Sequence, residues 1–310
     1  MPPDNNNVPR VRTGPIDWLT RTTREALERA ITGALGREWQ VKFEQDFSEF
    51  ACHPVGIVSN GSQAFFFKLG ETTEACRQFE VEAKGLQALN GAAGVLTPEI
   101  IGVEPVETGW LMIMKAVETV ERGSSQWREI GRTLAQIHRV RGKSFGYTSN
   151  GFWGPLPQDN TSGQDWISFF EQRRLRPLLK TAADSGNLPP DVVSRIENLF
   201  GWLPNLGGPD VTPVLVHGDA QQNNFISSPE GTYVIDPAVF YGHPEWDLAL
   251  VDSWQPVPEQ VFEGYREVLP IAPDFEDRRH LWRLPLYLAA VALEGPMHLQ
   301  RLTDSLKRIE

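Results

Sequence analysis

Apolar positions recur at helical spacing from Ile16 to about Leu35, with Leu27, Ala30, Ile31, Ala34 and Leu35 on one face. The period then shortens. Residues 39 to 69 read as strands, the last ending in AFFFKL, Ala64–Leu69. Thr73–Gly91 returns to helical spacing, with Gly91 as the expected stop. Glu99–Val117 reads as two strands around a Glu-Thr-Gly turn, after which the character changes. Trp127–Val140 and Asp165–Ala183 are helical, separated by a Gly/Pro-rich loop over Gly146–Gly163. A second loop, Leu203–Pro213, leads into the apolar strand Val214–Val216, and from Trp246 onward the chain is mostly helical. No repeat is visible. The order predicts an α+β protein with a flexible tail over 1–14, a β-rich unit over 15–117 and a mostly helical unit over 118–310.

The strand Val214–Val216 runs directly into HGDAQQNN, His217–Asn224. Beyond it, Phe225–Ile226 and Tyr233–Ile235 are short β-like runs flanking SSPEG, a strong turn signal. A hairpin pivoting near Glu230 puts Asn224 opposite Asp236, one short loop away from Asp219. An amide oxygen and a carboxylate beside a third carboxylate suit Mg²⁺, which takes few protein ligands and completes its shell with phosphate and water. His-x-Asp-x₄-Asn is also the spacing of the protein-kinase catalytic loop, in which an Asp accepts a hydroxyl proton while Asn and a second Asp hold the metal. An ordinary polar turn explains the octapeptide alone equally well. The hairpin and Asp236 shift the balance toward phosphoryl transfer.

That chemistry asks the first unit for a strand lysine paired with a glutamate on the next helix. Lys68 follows three phenylalanines, and Glu82 shares a helical stripe with Phe79, Leu86 and Leu89. A carboxylate on an apolar face costs roughly several kcal/mol unless paired, and Lys68 is the available cation. A salt bridge with no ligand is the plainer alternative.

Composition narrows the partners. With 29 basic and 40 acidic residues the formal net charge is −11, which argues against broad nucleic-acid or anionic-membrane binding. Two cysteines, Cys52 and Cys76, and no CxxC exclude a disulfide framework or zinc ribbon. Neither the start nor the apolar run Leu284–Leu293 reads as a signal or a bilayer span, so the reducing cytoplasm is the expected setting. GKSFG, Gly142–Gly146, fits Gly-x-Ser-x-Gly but lacks the preceding strand and following helix of a hydrolase elbow. The same GKS is no phosphate-binding P-loop, because Ile137 stands where glycine is required. His53, His138, His217, His243, His280 and His298 form no zinc-ligand spacing.

On these residues the chain resembles the fructosamine (ketosamine) kinases, relatives of aminoglycoside and choline phosphotransferases with a protein-kinase-like two-lobe fold. VHGDAQQNN, IDPAVFYGHPEWDLA, FEVEAKGLQAL, GRTLAQIH, FGYTSNGFWGPLPQDN and DWISFFEQRRLRPLL carry the likeness, which covers most of the chain. The resemblance implies Asp219 as catalytic base and Asn224 and Asp236 as metal ligands. It implies Lys68, steadied by Glu82, on the α/β-phosphates of ATP, and the backbone at Met114 and Ala116 facing adenine. Asp247 and His217 are expected to brace the catalytic loop. Cofactors are ATP and Mg²⁺, and the acceptor is a small-molecule or protein-bound sugar amine whose phosphorylation begins deglycation. A monomer is expected.

Two departures stand out. The family usually has an aromatic residue two places after the catalytic Asp; here it is Gln221, which bears on acceptor identity. A family Gly-Gly-Cys is replaced by Phe50-Ala51-Cys52, which bears on nucleotide affinity and leaves any redox role of Cys52 open. The rivals are therefore a same-fold kinase of another hydroxyl compound (an aminoglycoside, choline or a sugar) and a relative that binds nucleotide poorly and does not catalyse.

Overall fold

The computed structural model describes residues 12–14, 16–48 and 53–310. Two compact units emerge, one from residues up to Ala83 plus Pro98–Glu118, the other from Lys84–Thr97 plus Thr119–Glu310.

In the first unit a six-stranded antiparallel sheet forms from β1 (Arg12–Thr13), β2 (Phe43–Asp46), β3 (Val55–Ser59), β4 (Ala64–Gly70), β5 (Ile100–Val106) and β6 (Gly109–Lys115). Their spatial order is β1-β2-β3-β4-β6-β5. Helix α1 (Arg21–Leu35) is opened by Thr20, whose Oγ1 accepts the Thr23 N–H, and closed by Gly36 in the left-handed region. Leu27 and Ile31 of α1 are fully buried in a core shared with Trp39, Val58, Phe65, Phe67, Leu111 and Ile113. Helical and strand periods thus point their apolar faces into the same core. Within the stretch expected as a tail over 1–14, Arg12 and Thr13 pair with Asp46 and Gln45, and residues 1–11 lie outside the described residues.

Helix α2 (Ala75–Ala88) is continued by a wider π turn over Leu89–Ala93. Gly91 therefore does not stop the helix; Gly94 does, at φ 68°, where a left-handed residue closes the last turn. The expected boundary near 117 also misses one segment: Lys84–Thr97 belongs to the second unit. Leu89 and Val95 lie in that unit's core, and Leu96 bridges to Tyr233.

The second unit contains α3 (Ser124–His138), the hairpin β7 (Gly151–Trp153) and β8 (Leu156–Gln158), α4 (Trp166–Phe170), α5 (Arg176–Asp184), α6 (Pro190–Leu199) and α7 (Leu203–Leu206). It continues with β9 (Val214–Val216), β10 (Phe225–Ser228), β11 (Gly231–Val234), β12 (Phe240–Gly242), α8 (Pro244–Leu250), α9 (Gln260–Arg266), α10 (Phe275–Glu294) and α11 (Leu299–Ile309). The loop predicted over Gly146–Gly163 thus holds a small hairpin, turned by Gly154 and Pro155 with Gly154 at φ 56°. Helices α3 and α9 approach so closely that a Cβ on Gly131 would lie 1.8 Å from the Val261 carbonyl oxygen. The core gathers Trp246, Trp282, Phe170 and Phe240, all fully buried, beneath the segment that follows β9.

Candidate active site

Strand β9 is the buried run Val214–Val216, paired with β12, and it delivers His217-Gly218-Asp219 at its end. Gly218 adopts φ 86°, and a Cβ there would meet the Ala238 carbonyl oxygen at 2.0 Å, so only glycine fits. The Ala238 N–H donates to His217 O at 2.9 Å, and the Trp246 indole donates to Gly218 O at 2.9 Å.

Asp247, on α8 and fully buried, anchors the turn. One carboxylate oxygen accepts the His217 N–H at 2.6 Å and the other the Gly218 N–H at 3.0 Å. The first also lies 3.1 Å from His138 Nε2. A carboxylate accepts only, so Nε2 carries the proton and His138 Nδ1 accepts from the Tyr265 hydroxyl at 2.9 Å. Burial, with Asp247 nearby, raises the Tyr265 pKa and keeps that hydroxyl a donor. His217 spends both ring nitrogens on the backbone. Nε2 donates to Ile235 O at 2.9 Å, and Nδ1 accepts the Asp219 N–H at 3.3 Å.

Asp219 is half-buried. Desolvation pushes its pKa up, and the charge of Asp236 pushes the same way. Hydrogen bonds from the Trp153 and Gln221 side chains, with His217 nearby, oppose the rise but do not cancel it. Asn224 Nδ2 donates to Asp219 O at 2.7 Å and to Oδ2 at 3.1 Å. The Gln221 amide reaches both Asp219 oxygens at 3.1 Å.

The hairpin β10–β11 is one residue out of the expected register: Phe225 pairs with Val234, and Ser228 with Gly231. Asn224 consequently faces Ile235, whose N–H donates to Asn224 O at 3.0 Å, and not Asp236. The turn is the two-residue Pro229-Glu230, tighter than a pivot centred on Glu230. Asp236 comes one step later at φ 54°, a left-handed conformation uncommon outside glycine and typical of constrained sites. Asn224 commits its amide nitrogen to Asp219, leaving Oδ1 without a protein donor among the described residues. The Asp236 carboxylate lies near enough to Asp219 to act on its titration, and an amide oxygen and a carboxylate are ligand types that Mg²⁺ takes alongside phosphate and water. Among the described residues no cluster of three or more His, Cys, Asp or Glu offers a metal cage.

In the first unit Lys68 lies on β4, opposite Val55 and Met112, and is nearly buried. Its Nζ donates to both Glu82 oxygens, at 2.7 and 2.9 Å. Phe79, Leu86 and Leu89 on the same stripe as Glu82 are buried, as the helical spacing requires. The backbone at Met114 and Ala116 is more committed than expected. Met114 lies within β6, flanked by Phe66 of β4 and Ile100 of β5, and the Ala116 N–H donates to Ala64 O at 3.0 Å. Sheet contacts have thus claimed the Ala116 N–H, while among the described residues no backbone N–H donates to its carbonyl. Phe50-Ala51-Cys52 lies outside the described residues.

Sequence reasoning missed several supports. Trp153 comes from the hairpin within the Gly/Pro loop to touch Asp219. The Arg122 guanidinium donates to the carbonyls of Gln222 and Phe225 and lies over Trp127. Arg174, fully buried, donates to Asn160 Oδ1 at 2.6 Å and fixes the PQDN loop. Burial lowers its pKa to about 9. An Arg four residues after Phe170 and four before Leu178, on an otherwise apolar helical stripe, was the available signal.

The model of the fructosamine kinase family matches residues 23–309. A probable ketoamine kinase of Synechocystis is 27% identical over 299 residues, covering 95% of this chain and 97% of its own. A chloroplastic protein-ribulosamine 3-kinase of Oryza sativa subsp. indica is 34% identical over 226 residues, covering 70% of this chain and 64% of its own. The crystal structure of a candidate fructosamine-3-kinase from Thermobifida fusca superposes with a TM-score of 0.80 at 28% identity, covering 92% of this chain and 98% of that one. The fold is that of the protein-kinase-like phosphotransferases. By family model, relatives and fold together, the chain belongs to the fructosamine kinase family.

Proposed function

We propose that this protein transfers the γ-phosphoryl group of ATP to a sugar hydroxyl of a ketosamine, a fructosamine or ribulosamine adduct on a small amine or a protein lysine, as a step in deglycation. Membership of the family makes it an ATP-dependent phosphotransferase. The observation that carries the finer reading is the Asp219 carboxylate, held by a loop whose backbone is pinned to Asp247 and flanked by Asn224 and Asp236.

Each residue then has a task. Asp219 takes the proton of the attacking hydroxyl. Asn224 Oδ1 and the Asp236 carboxylate would hold Mg²⁺, and Lys68, oriented by Glu82, would hold the α/β-phosphates. The Ala116 carbonyl is assigned to the adenine side. Asp247, His217 and His138 position the loop without touching substrate. When bound, Mg·ATP supplies the transferred group and neutralises its charge.

The test is ATP consumption on adding a ribulosamine or fructosamine. Turnover is expected, and Asp219→Asn should lower it about 10²- to 10⁴-fold. Turnover of an unmodified amine, sugar or aminoglycoside, with none of any ketosamine, would move the assignment to another acceptor of the same fold. Absence of Mg·ATP binding by calorimetry at millimolar nucleotide would favour the non-catalytic alternative.

A further inference from the structure

Gln221 stands two residues after the proposed base and is half-buried. Its Nε2 is 3.1 Å from Oδ1 and 3.1 Å from Oδ2 of Asp219. Among the described residues two other side-chain donors reach that carboxylate. Asn224 Nδ2 is anchored elsewhere by its 2.7 Å bond to Asp219 O, and Trp153 is buried and packs on Trp246 with ring centroids 5.7 Å apart. The Gln221 side chain, by contrast, has no hydrogen-bond partner other than Asp219 among the described residues.

A carboxylate offers about four lone-pair sites, and these donors take up most of them. A hydroxyl delivering its proton to Asp219 needs one back. Gln221 is the donor most easily displaced, because an N–H shared between two oxygens aligns well with neither and no second hydrogen bond among the described residues holds the side chain. An amide displaced by a hydroxyl remains within a hydrogen bond of it. It carries both a donor and an acceptor, so it can meet a carbonyl or a hydroxyl on the adjoining carbon.

We propose that Gln221 covers the catalytic carboxylate until an acceptor displaces it, and that the freed amide then binds an oxygen on the carbon next to the reacting hydroxyl. Gln221 is thereby the residue that selects acceptors bearing neighbouring oxygens. The inference rests on Asp219 as base. In a ketosamine the neighbouring oxygen is the carbonyl beside the 3-hydroxyl. An aromatic side chain at this position would stack on a sugar and could not make this distinction. The cover also keeps water from the base while no acceptor is present.

The experiment compares a ketosamine with its analogue in which that carbonyl is a methylene, in the full-length protein and in Gln221→Leu and Gln221→Ser. The unaltered protein should prefer the ketosamine in kcat/KM by about tenfold or more, on the scale of one hydrogen bond in a desolvated site. Both variants should bring the two acceptors within about twofold of each other and raise ATP hydrolysis without acceptor. Calorimetric binding of the two compounds to nucleotide-free protein should show the same loss of preference. A merely structural Gln221 would weaken both acceptors by one common factor, and an unchanged ratio overturns the proposal. If the acceptor screen finds a different hydroxyl compound, the comparison is run on that compound and its deoxy neighbour. Failure of the ketosamine reading then appears in the screen, and failure of the Gln221 role appears in the ratio.

Discussion

Asp247 accepts the backbone N–H of His217 at 2.6 Å from a position with no solvent exposure, and so ties helix α8 to the end of strand β9. The same carboxylate receives the Gly218 N–H and His138, so three donors depend on it. Asp247→Asn keeps the shape but turns an N–H₂ toward one of those donors. Stability measured by urea unfolding should fall by about 2–4 kcal/mol, since buried donors lose a charged acceptor. The kcat should fall with it by about tenfold or more, with KM for ATP changed far less, because the loop that carries Asp219 loosens while Lys68 and Glu82 do not. Unchanged kcat in a folded Asp247→Asn protein would show that the brace is not needed for catalysis.

The Lys68–Glu82 pair makes a separate prediction. Both side chains are mostly out of water, so removing one takes a close charge-assisted partner from the other in a largely desolvated setting. Lys68→Met should lose roughly 2–4 kcal/mol of stability, and the double change Lys68→Met with Glu82→Leu should recover part of it. Nucleotide affinity should not recover with stability, because a leucine cannot stand in for the cation. Calorimetry with Mg·ATP on the single and double variants distinguishes a pair that serves the nucleotide from one that serves only the fold.

His243 gives the pH dependence. It is almost fully buried, its Nδ1 accepts the Glu245 N–H at 3.1 Å, and its Nε2 has no partner among the described residues. Burial lowers its pKa from 6.5 to about 4. The folded protein therefore holds this ring neutral, while the unfolded chain protonates it from about pH 6.5 downward. Below that point the unfolded state binds more protons, and stability falls as pH drops toward 4, by roughly 3 kcal/mol across the window. Urea midpoints at pH 7.5, 6, 5 and 4.5 should decline progressively. His280, also lowered to about 4, adds in the same direction, so His243→Phe should flatten the decline only in part. A flat profile from 7.5 to 4.5 would contradict the lowered pKa assigned to both rings.

The α3–α9 contact predicts intolerance of a single methyl group. Gly131→Ala places Cβ against the Val261 carbonyl, and Gly264→Ala places it against the Arg128 carbonyl at 1.9 Å. Backbone cannot yield as a side-chain tip can, so each should cost about 1–3 kcal/mol or more in thermal or urea unfolding. A neutral effect of either would mean that the two helices lie further apart.

Much of this was legible in the chain. Periodicity located α1, α3 and the strands around Lys68, because the faces of these elements pack into a core within their own unit. It located α2 through the buried stripe Phe79, Leu86 and Leu89, although that helix is divided between the units. Lys68 and Glu82 could be paired from spacing alone, since an apolar strand and an apolar helical stripe leave two opposite charges few other outlets. His217, Asp219 and Asn224 stood out by the spacing His-x-Asp-x₄-Asn, whereas Asp247 was reached only through the family resemblance of its segment. The misses have physical causes. Gly91 and Gly94 are equally plausible helix stops until backbone angles decide between them, and hairpin register depends on whether two or three residues turn the chain at Pro229-Glu230. The commitment of Ala116 to Ala64 follows from which strands become neighbours in the sheet, and residue identity does not encode that.

What the order of residues determined by itself was the chemical inventory: oxygen-bearing side chains at Asp219, Asn224 and Asp236, a strand lysine with a glutamate on the next helix, and a glutamine where the family carries an aromatic ring. These are properties of side chains and of spacing along a covalent chain. What only the tertiary structure decided was the company each group keeps. Trp153 and Gln221 reach the oxygens of Asp219, and a histidine from α3 meets the carboxylate beneath the loop. Those contacts join segments far apart in sequence, and their geometry is set by how helices and hairpins pack, at distances where a fraction of an ångström separates a hydrogen bond from none.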